Sequence, residues 1–226
     1  MPNSWVDVDQ ALDYLARADK LPHRAEGEGV LVRDLAGCLP GRILDLGCGD
    51  GRLTALVLAA YPESTAICVD MSPPMLDAVR ERFAGDDRVT VATHDLEEPL
   101  PVEGPFDTVI SSLAIHHVDD ERKRTLYAEV ASLLTPGGVF ANLEIVQAPS
   151  QALHDQWRDE MGARDDPSDR LAPMEPQLAW LRDAGLQDVD CIWKWRSLAL
   201  LRGASPGHRR AAVGAHDDAG DELRRR

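Results

Sequence analysis

"ILDLGCGDGRLT", residues 43–54, decides how the rest of the chain is read. An apolar run carries one acid, Asp45, and opens onto glycines at 47, 49 and 51, each separated by a single residue. The run before the glycines reads as a buried strand, and "GRLTALVLAAY" after them reads as a helix. Glycine at such a strand-to-helix turn permits positive φ and lets ligand atoms touch the backbone. A dinucleotide fingerprint is one candidate, but it requires a glycine three residues after the second one. That position is Arg52, and Gly51 falls one residue too early. Asp45 is also unhelpful to a pyrophosphate and suits a ligand carrying a cationic amine.

Working outward, "RILDLG" (42–47), "TAICVD" (65–70), "RVTVATHD" (88–95) and "FDTVISSL" (106–113) are short apolar or β-branched runs, and helix-like segments recur between them. Pro73 and Pro74 suit the first turn of the helix after the second run, and Ser72 suits its cap. "DERKRTLYAEVASLL" gives the helix after the fourth run. Thr135-Pro136-Gly137-Gly138 announces a fifth strand, "GGVFANLEIV" (137–146). Strands alternating with helices predict an α/β fold whose parallel strands are covered on both faces. Beyond the fifth strand the sequence predicts a helix, a polar loop and another helix, then "DVDCIWKWRSLALLRG" as strands flanking a turn. Ahead of the pattern, apolar spacing predicts helices over Asp9–Arg17 and within "GEGVLVRDLAGCLPG". Residues 204–226 lack periodicity and are expected to be a disordered tail.

The chain has 226 residues, a length suited to one domain. Its 39 acidic residues against 24 Lys and Arg give a formal charge of −15, which disfavours nucleic acid and anionic membranes as partners. Four scattered cysteines without a CxxC pair predict reduced thiols rather than a disulfide or zinc framework. No signal-like start or membrane-length apolar run is present, so a cytoplasmic protein is expected. Asp70 ends the second strand, where a carboxylate can accept both ribose hydroxyls of any nucleoside. Asp95 ends the third, where it could take an exocyclic amine or cap a helix.

Taken in series, "ILDLGCGDG", "CVDMS", "HDLEEPLP", "FDTVISSLAIHH" and "LLTPGGVF" resemble the class I S-adenosylmethionine-dependent methyltransferases over roughly residues 40–146. The resemblance implies a Rossmann-like seven-stranded, mostly parallel sheet with an antiparallel last strand, placed at "WKWRSLALLRG". It implies an N-terminal lid over 1–39, a methyltransferase domain over 40–203 and a substrate-cover insertion at about 148–175. It implies S-adenosyl-L-methionine as cofactor. Gly47, Cys48 and Gly49 would lie at its methionine part and ribose, Asp45 at its amino group, and Asp70 at the ribose. Met71 would lie against the adenine, with core packing as the alternative. His94, Asp95 and Leu96 would frame the adenine edge, and Ser111 and Ser112 would offer backbone carbonyls to the ammonium.

Methyl transfer is an in-line displacement that needs alignment and exclusion of water, and a base only when the acceptor arrives protonated. His116 and His117 follow the fourth strand near the expected methyl group and are the catalytic candidates, although "IHHV" also recurs as a structural part across the superfamily. Candidates for the acceptor side are Trp5 and Arg24 in the lid region, Asn142 and Glu144 on one strand face, and His154, Trp157 and Arg158 on one helical face. The C-terminal stretch "LRDAGLQDVDCIWKWRSLALLRG" is similar to the carboxy-S-adenosylmethionine synthase and trans-aconitate methyltransferase subgroup, in which Arg158 would be a counterpart of a carboxylate-binding arginine. Trp193 and Trp195 are expected as packing residues. The sequence predicts methyl transfer to an oxygen, carboxylate or nitrogen of a small molecule by a monomer or homodimer, with no metal. A cofactor-modifying synthase and a non-catalytic cofactor-binding regulator are the alternatives.

Overall fold

The computed structural model describes residues 21–101, 103–162 and 166–207. The helix expected over Asp9–Arg17, Trp5 and the tail from residue 208 onward lie outside the described residues. Seven strands, β1 (Arg42–Leu46), β2 (Thr65–Asp70), β3 (Val89–Thr93), β4 (Phe106–Ser112), β5 (Leu134–Ile145), β6 (Gln187–Trp195) and β7 (Leu198–Ala204), form one sheet in the order β3-β2-β1-β4-β5-β7-β6. β1 to β5 pair in parallel, and β7 runs antiparallel to both β5 and β6. The mostly parallel, seven-stranded sheet with an antiparallel last strand is the architecture the sequence predicts.

The described helices are α1 (Arg24–Asp34), α2 (Arg52–Ala60), α3 (Pro73–Arg82), α4 (Asp120–Leu133), α5 (Gln151–Met161) and α6 (Met174–Asp183). Successive residues of β1 point to opposite faces, so each face acquires its own core. Ile43 packs in the cluster of Leu31, Val57 and Val79 from α1, α2 and α3. Leu44 and Leu46 pack in the other, with Leu126 and Tyr127 of α4 and Leu181 of α6. Cover on both faces explains why β1 reads as an unbroken apolar run rather than an alternating one.

Two boundaries differ from the sequence reading. β5 begins at Leu134, not Gly137, because the Thr135–Gly138 turn is absorbed as a register shift between Phe106 and Thr108 of β4, which pair with Leu134 and Val139. α1 begins at Arg24, ahead of the stretch from Gly27 in which the sequence predicts it, and ends in one tighter turn over Leu35–Gly37. The described part of residues 1–39 packs on the sheet and also brings Arg24 to the cleft. Leu31 and Leu35 are fully buried in the core, and a Cβ at Gly27 would stand 2.8 Å from the Trp193 ring and 2.9 Å from Leu143. Trp193 thus packs as predicted, holding α1 to β6.

Because Leu31 joins α1 to the sheet with no solvent exposure, Leu31→Ala should destabilise the protein by about 2–5 kcal/mol. Urea unfolding should show this as a lower midpoint with an unchanged slope.

Candidate active site

β1 has β2 on one side and β4 on the other, and the carboxyl ends of these three strands open a crevice. A cleft lies there, lined by Arg24, Asp45 and Gly47–Asp50 and by Asp70, Met71 and His94–Glu97. Ser112–Ala114, His117 and Val118 form a further wall.

The glycines prove to have different reasons. A Cβ at Gly47 would fall 2.3 Å from the Cβ of Ala114, so the protein itself crowds that position, and its φ is +63°. A Cβ at Gly49, also at positive φ, would meet nothing within 4 Å, so this glycine faces open cleft. Backbone approach by a ligand is therefore available at Gly49, while packing of β1 against the segment after β4 demands Gly47.

Asp70 is clamped by its neighbours. Its Oδ2 accepts the Gly49 N–H at 2.9 Å and its Oδ1 accepts the Ser72 N–H at 2.8 Å. Each oxygen keeps a further lone pair for a ligand hydroxyl. Burial raises the Asp70 pKa above the usual carboxylate range, and the backbone donors oppose that rise. Ser72 is at the cap position of α3, but its hydroxyl makes no cap bond; its amide is held by the Asp70 carboxylate. Asp95 Oδ1 accepts the Glu97 N–H at 3.0 Å and so shapes a turn, with no helix to cap.

Asp45 is buried and accepts a 2.6 Å hydrogen bond from Thr54 Oγ1. Burial pushes its pKa up to about 7, and the charges of Asp70 and Glu28 add to the rise. Arg24 is equally buried, and its Nε donates to Glu28 Oε1 at 2.8 Å. Arg52 Nε donates to the other oxygen of Glu28 at 2.8 Å. An acid and a guanidinium thus both line the cleft together with the glycine loop. Arg24, expected on the acceptor side, lines the same cleft as the glycine loop. Its partner Glu28 carries no motif in the sequence.

Of the other expected residues, Cys48, Met71, His94, Leu96 and Ser112 line the cleft. Ser111 does not. It is fully buried, and its hydroxyl donates to the Leu46 carbonyl at 2.8 Å. His117 is at the wall, whereas His116 lies behind it with the two ring centroids 4.0 Å apart. Burial and the neighbouring His116 push His117 down to about 2, so it is neutral. Burial acts on His116 in the same direction, but the charge and hydrogen bond of Glu144 outweigh it and hold His116 above its ordinary value.

Asn142 and Glu144 are completely buried and do not line the cleft. The strand face they share looks into the interior, where Glu144 Oε1 stands 2.6 Å from His116 Nδ1. His154 lines a separate cleft with Asp166 and Asp169. Trp157 lies under the Lys194 ammonium, and Arg158 is paired with Asp155 and Asp159 at 3.5 and 3.4 Å. Neither reaches the main cleft.

The methyltransferase-domain family matches residues 43–138. An uncharacterized methyltransferase of Mycobacterium bovis is 38% identical over 104 residues, which cover 46% of this chain and 50% of that protein. This chain's match thus spans about half the length of that relative. Trans-aconitate 2-methyltransferase of Methylobacterium nodulans is 30% identical over 204 residues, covering 85% of this chain and 74% of that protein. The chain belongs to the class I S-adenosylmethionine-dependent methyltransferases. An O-methyltransferase family protein from Burkholderia thailandensis shares the fold, with a TM-score of 0.64 at 21% identity over 90% of this chain and 68% of that one.

The methyltransferase cofactor, S-adenosylmethionine, suits this cleft by the chemistry of its donors. Two buried polar atoms of the wall, His94 Nε2 and Ser112 Oγ, have no hydrogen-bond partner among the described residues, and such atoms call for a polar ligand. Burial pushes His94 down, so its ring is neutral and can donate or accept at an adenine edge. Asp45 could hold the ammonium, Arg24 the carboxylate and Asp70 the ribose hydroxyls.

Two outcomes follow from these acids. Loss of the clamped acceptor in Asp70→Ala should weaken S-adenosylmethionine binding by about 100-fold in calorimetry, since hydrogen bonds to a charged group contribute roughly 1.5–3 kcal/mol each. A cationic group at Asp45 favours its ionised form, so affinity should rise as pH increases through about 7 and fall as Asp45 takes up its proton below that. One pH unit below should bind ~10-fold more weakly than one unit above.

Proposed function

We propose that this methyltransferase transfers a methyl group to a carboxylate oxygen of a small molecule in the cytoplasm. The observation that carries the reading is one continuous cleft, in which the acid and guanidinium of the glycine loop, the Asp70 clamp and the His117 wall all face the same space. S-adenosylmethionine, when bound, supplies an electrophilic methyl group on a sulfonium that becomes neutral on transfer.

The protein's part is alignment and exclusion of water. Leu113, Ala114 and Val118 give the wall beside His117 an apolar surface that keeps the reacting space dry. A carboxylate arrives already ionised and needs no general base, which fits a His117 that is neutral and too weakly basic to hold a proton. His117 then orients the acceptor by hydrogen bonding. Support for a carboxylate acceptor also comes from the relative named for trans-aconitate, because its match extends over 85% of this chain, beyond the cofactor half. Free thiols at all four cysteines support a reducing compartment. The cofactor-modifying alternative gains nothing from Arg158, which stays outside the cleft.

Incubation with methyl-labelled S-adenosylmethionine and a panel of di- and tricarboxylic acids, trans-aconitate among them, should yield base-labile labelled methyl esters. Label recovered only in amines, or no labelled product despite measurable cofactor binding, would overturn the reading.

A further inference from the structure

His116, His117 and Asp169 come together where the main cleft and the second cleft meet, with His117 lining the first and Asp169 the second. One ring nitrogen of each histidine and one carboxylate oxygen of Asp169 lie within 4.8 Å of one another. His116 Nε2 and His117 Nδ1 each stand 3.6 Å from Asp169 Oδ1. That separation is too long for a hydrogen bond. It is close to the edge of a tetrahedron about a cation, since two donors at about 2.1 Å from one centre stand roughly 3.4 Å apart. The geometry points to a divalent transition-metal site made of two imidazoles and one carboxylate, with coordination positions left open toward the clefts.

Three further observations show the site to be built. First, Glu144 Oε1 lies 2.6 Å from His116 Nδ1 and also accepts the Ile145 N–H at 2.7 Å. With its proton on Nδ1, donated to Glu144, the imidazole keeps the lone pair of Nε2 on the side of Asp169. This is the carboxylate–histidine–metal arrangement that orients and strengthens a ligating imidazole. Second, the other oxygen of Glu144 is buried without a hydrogen-bond partner among the described residues, so a buried negative charge adjoins the site and favours a cation there. Third, the loop that carries Asp169 is pinned to the histidines. Arg170 N donates to the His116 carbonyl at 2.8 Å, and Ser168 Oγ, which donates to Asp166 at 2.7 Å, accepts from His117 Nδ1 at 3.0 Å, so the proton of that ring moves to Nε2 when Nδ1 ligates. The buried Lys123 ammonium ties the same two segments by bonding the carbonyls of Val118 and Arg170. Its charge is answered by Asp120, 3.6 Å away.

Two nitrogen donors and one oxygen donor select Zn²⁺ or Co²⁺ over Mg²⁺, which prefers all-oxygen surroundings. The open positions would take oxygen atoms of the acceptor, giving an anionic substrate a cation in a chain of formal charge −15; this last role rests on the carboxylate-acceptor reading, whereas the site itself does not.

The test is titration of the full chain with Zn²⁺ by calorimetry and with Co²⁺ by visible absorption, which reports coordination geometry directly. One equivalent should bind, with the intense bands of a low-coordinate Co²⁺ centre. Asp169→Asn should weaken binding by about 100-fold, and Glu144→Gln, which touches only the outer sphere, by about 10-fold. Thermal midpoints show whether each variant is folded, and Asp169→Asn, on a partly exposed loop, remains decisive if Glu144→Gln does not fold. No stoichiometric binding in the unaltered chain, or binding unchanged in folded Asp169→Asn, would overturn the site. S-adenosylmethionine titrated into the same proteins tests the methyltransferase reading separately.

Discussion

The hydrogen bond from the Gly49 amide to the Asp70 carboxylate joins the loop after β1 to the end of β2, and the cleft depends on it. A parallel pair brings both strand ends to one edge of the sheet, but nothing in the pairing alone fixes the loops beyond. The carboxylate does so by accepting amides from both sides, Gly49 and Ser72. It is thereby preorganised, with lone pairs left over for a ligand and little freedom left to lose when one arrives.

From that clamp the polarity of the cleft follows. Asp45 sits on the same strand as Ile43, pointing out of the face that buries Leu31 and Val57, and its burial keeps it near neutrality until a cation arrives. Glu28 holds Arg24 and Arg52 by one oxygen each, so a fully buried acid places one guanidinium at the cleft. Paired charges of this kind are costly to break because the survivor remains buried. The cleft thus offers opposite charges beside one glycine loop and neutral polar groups, His94 and Ser112, farther along.

On the far side of β4 the same economy of contacts joins distant segments. Glu144 lies on β5, the histidines follow β4, and Asp169 precedes α6. Parallel pairing of β4 with β5 brings Glu144 beside His116, and the backbone bond from Arg170 brings the loop. A strand face that would otherwise present carboxamide and carboxylate to an acceptor is turned inward, and its charge acts on the substrate side only through His116.

How much of this was legible in the chain depends on how local the signal is. β1, β2 and β4 were readable because strands covered on both faces are continuous apolar runs, and the positions of Asp45, Gly49, Asp70 and His94 at one edge of the sheet because each lies in or just after a strand-like run. The antiparallel close of the sheet was readable from two strand-like runs around one turn, given the family resemblance. Ser111, Asn142 and Glu144 were misplaced because strand alternation tells which residues share a face but not what covers that face. Where Arg24 sits was not legible for a related reason: it is set by Glu28, which also holds Arg52, and by the packing of α1 through Leu31 and Gly27 onto segments far apart in sequence. Local order of apolar, glycine and acidic residues therefore determined the strands, the loop and the cofactor class. Which face was covered, which charges were paired, and the meeting of Asp169 with two histidines were decided only by tertiary structure, because each is a distance between segments that the sequence keeps apart.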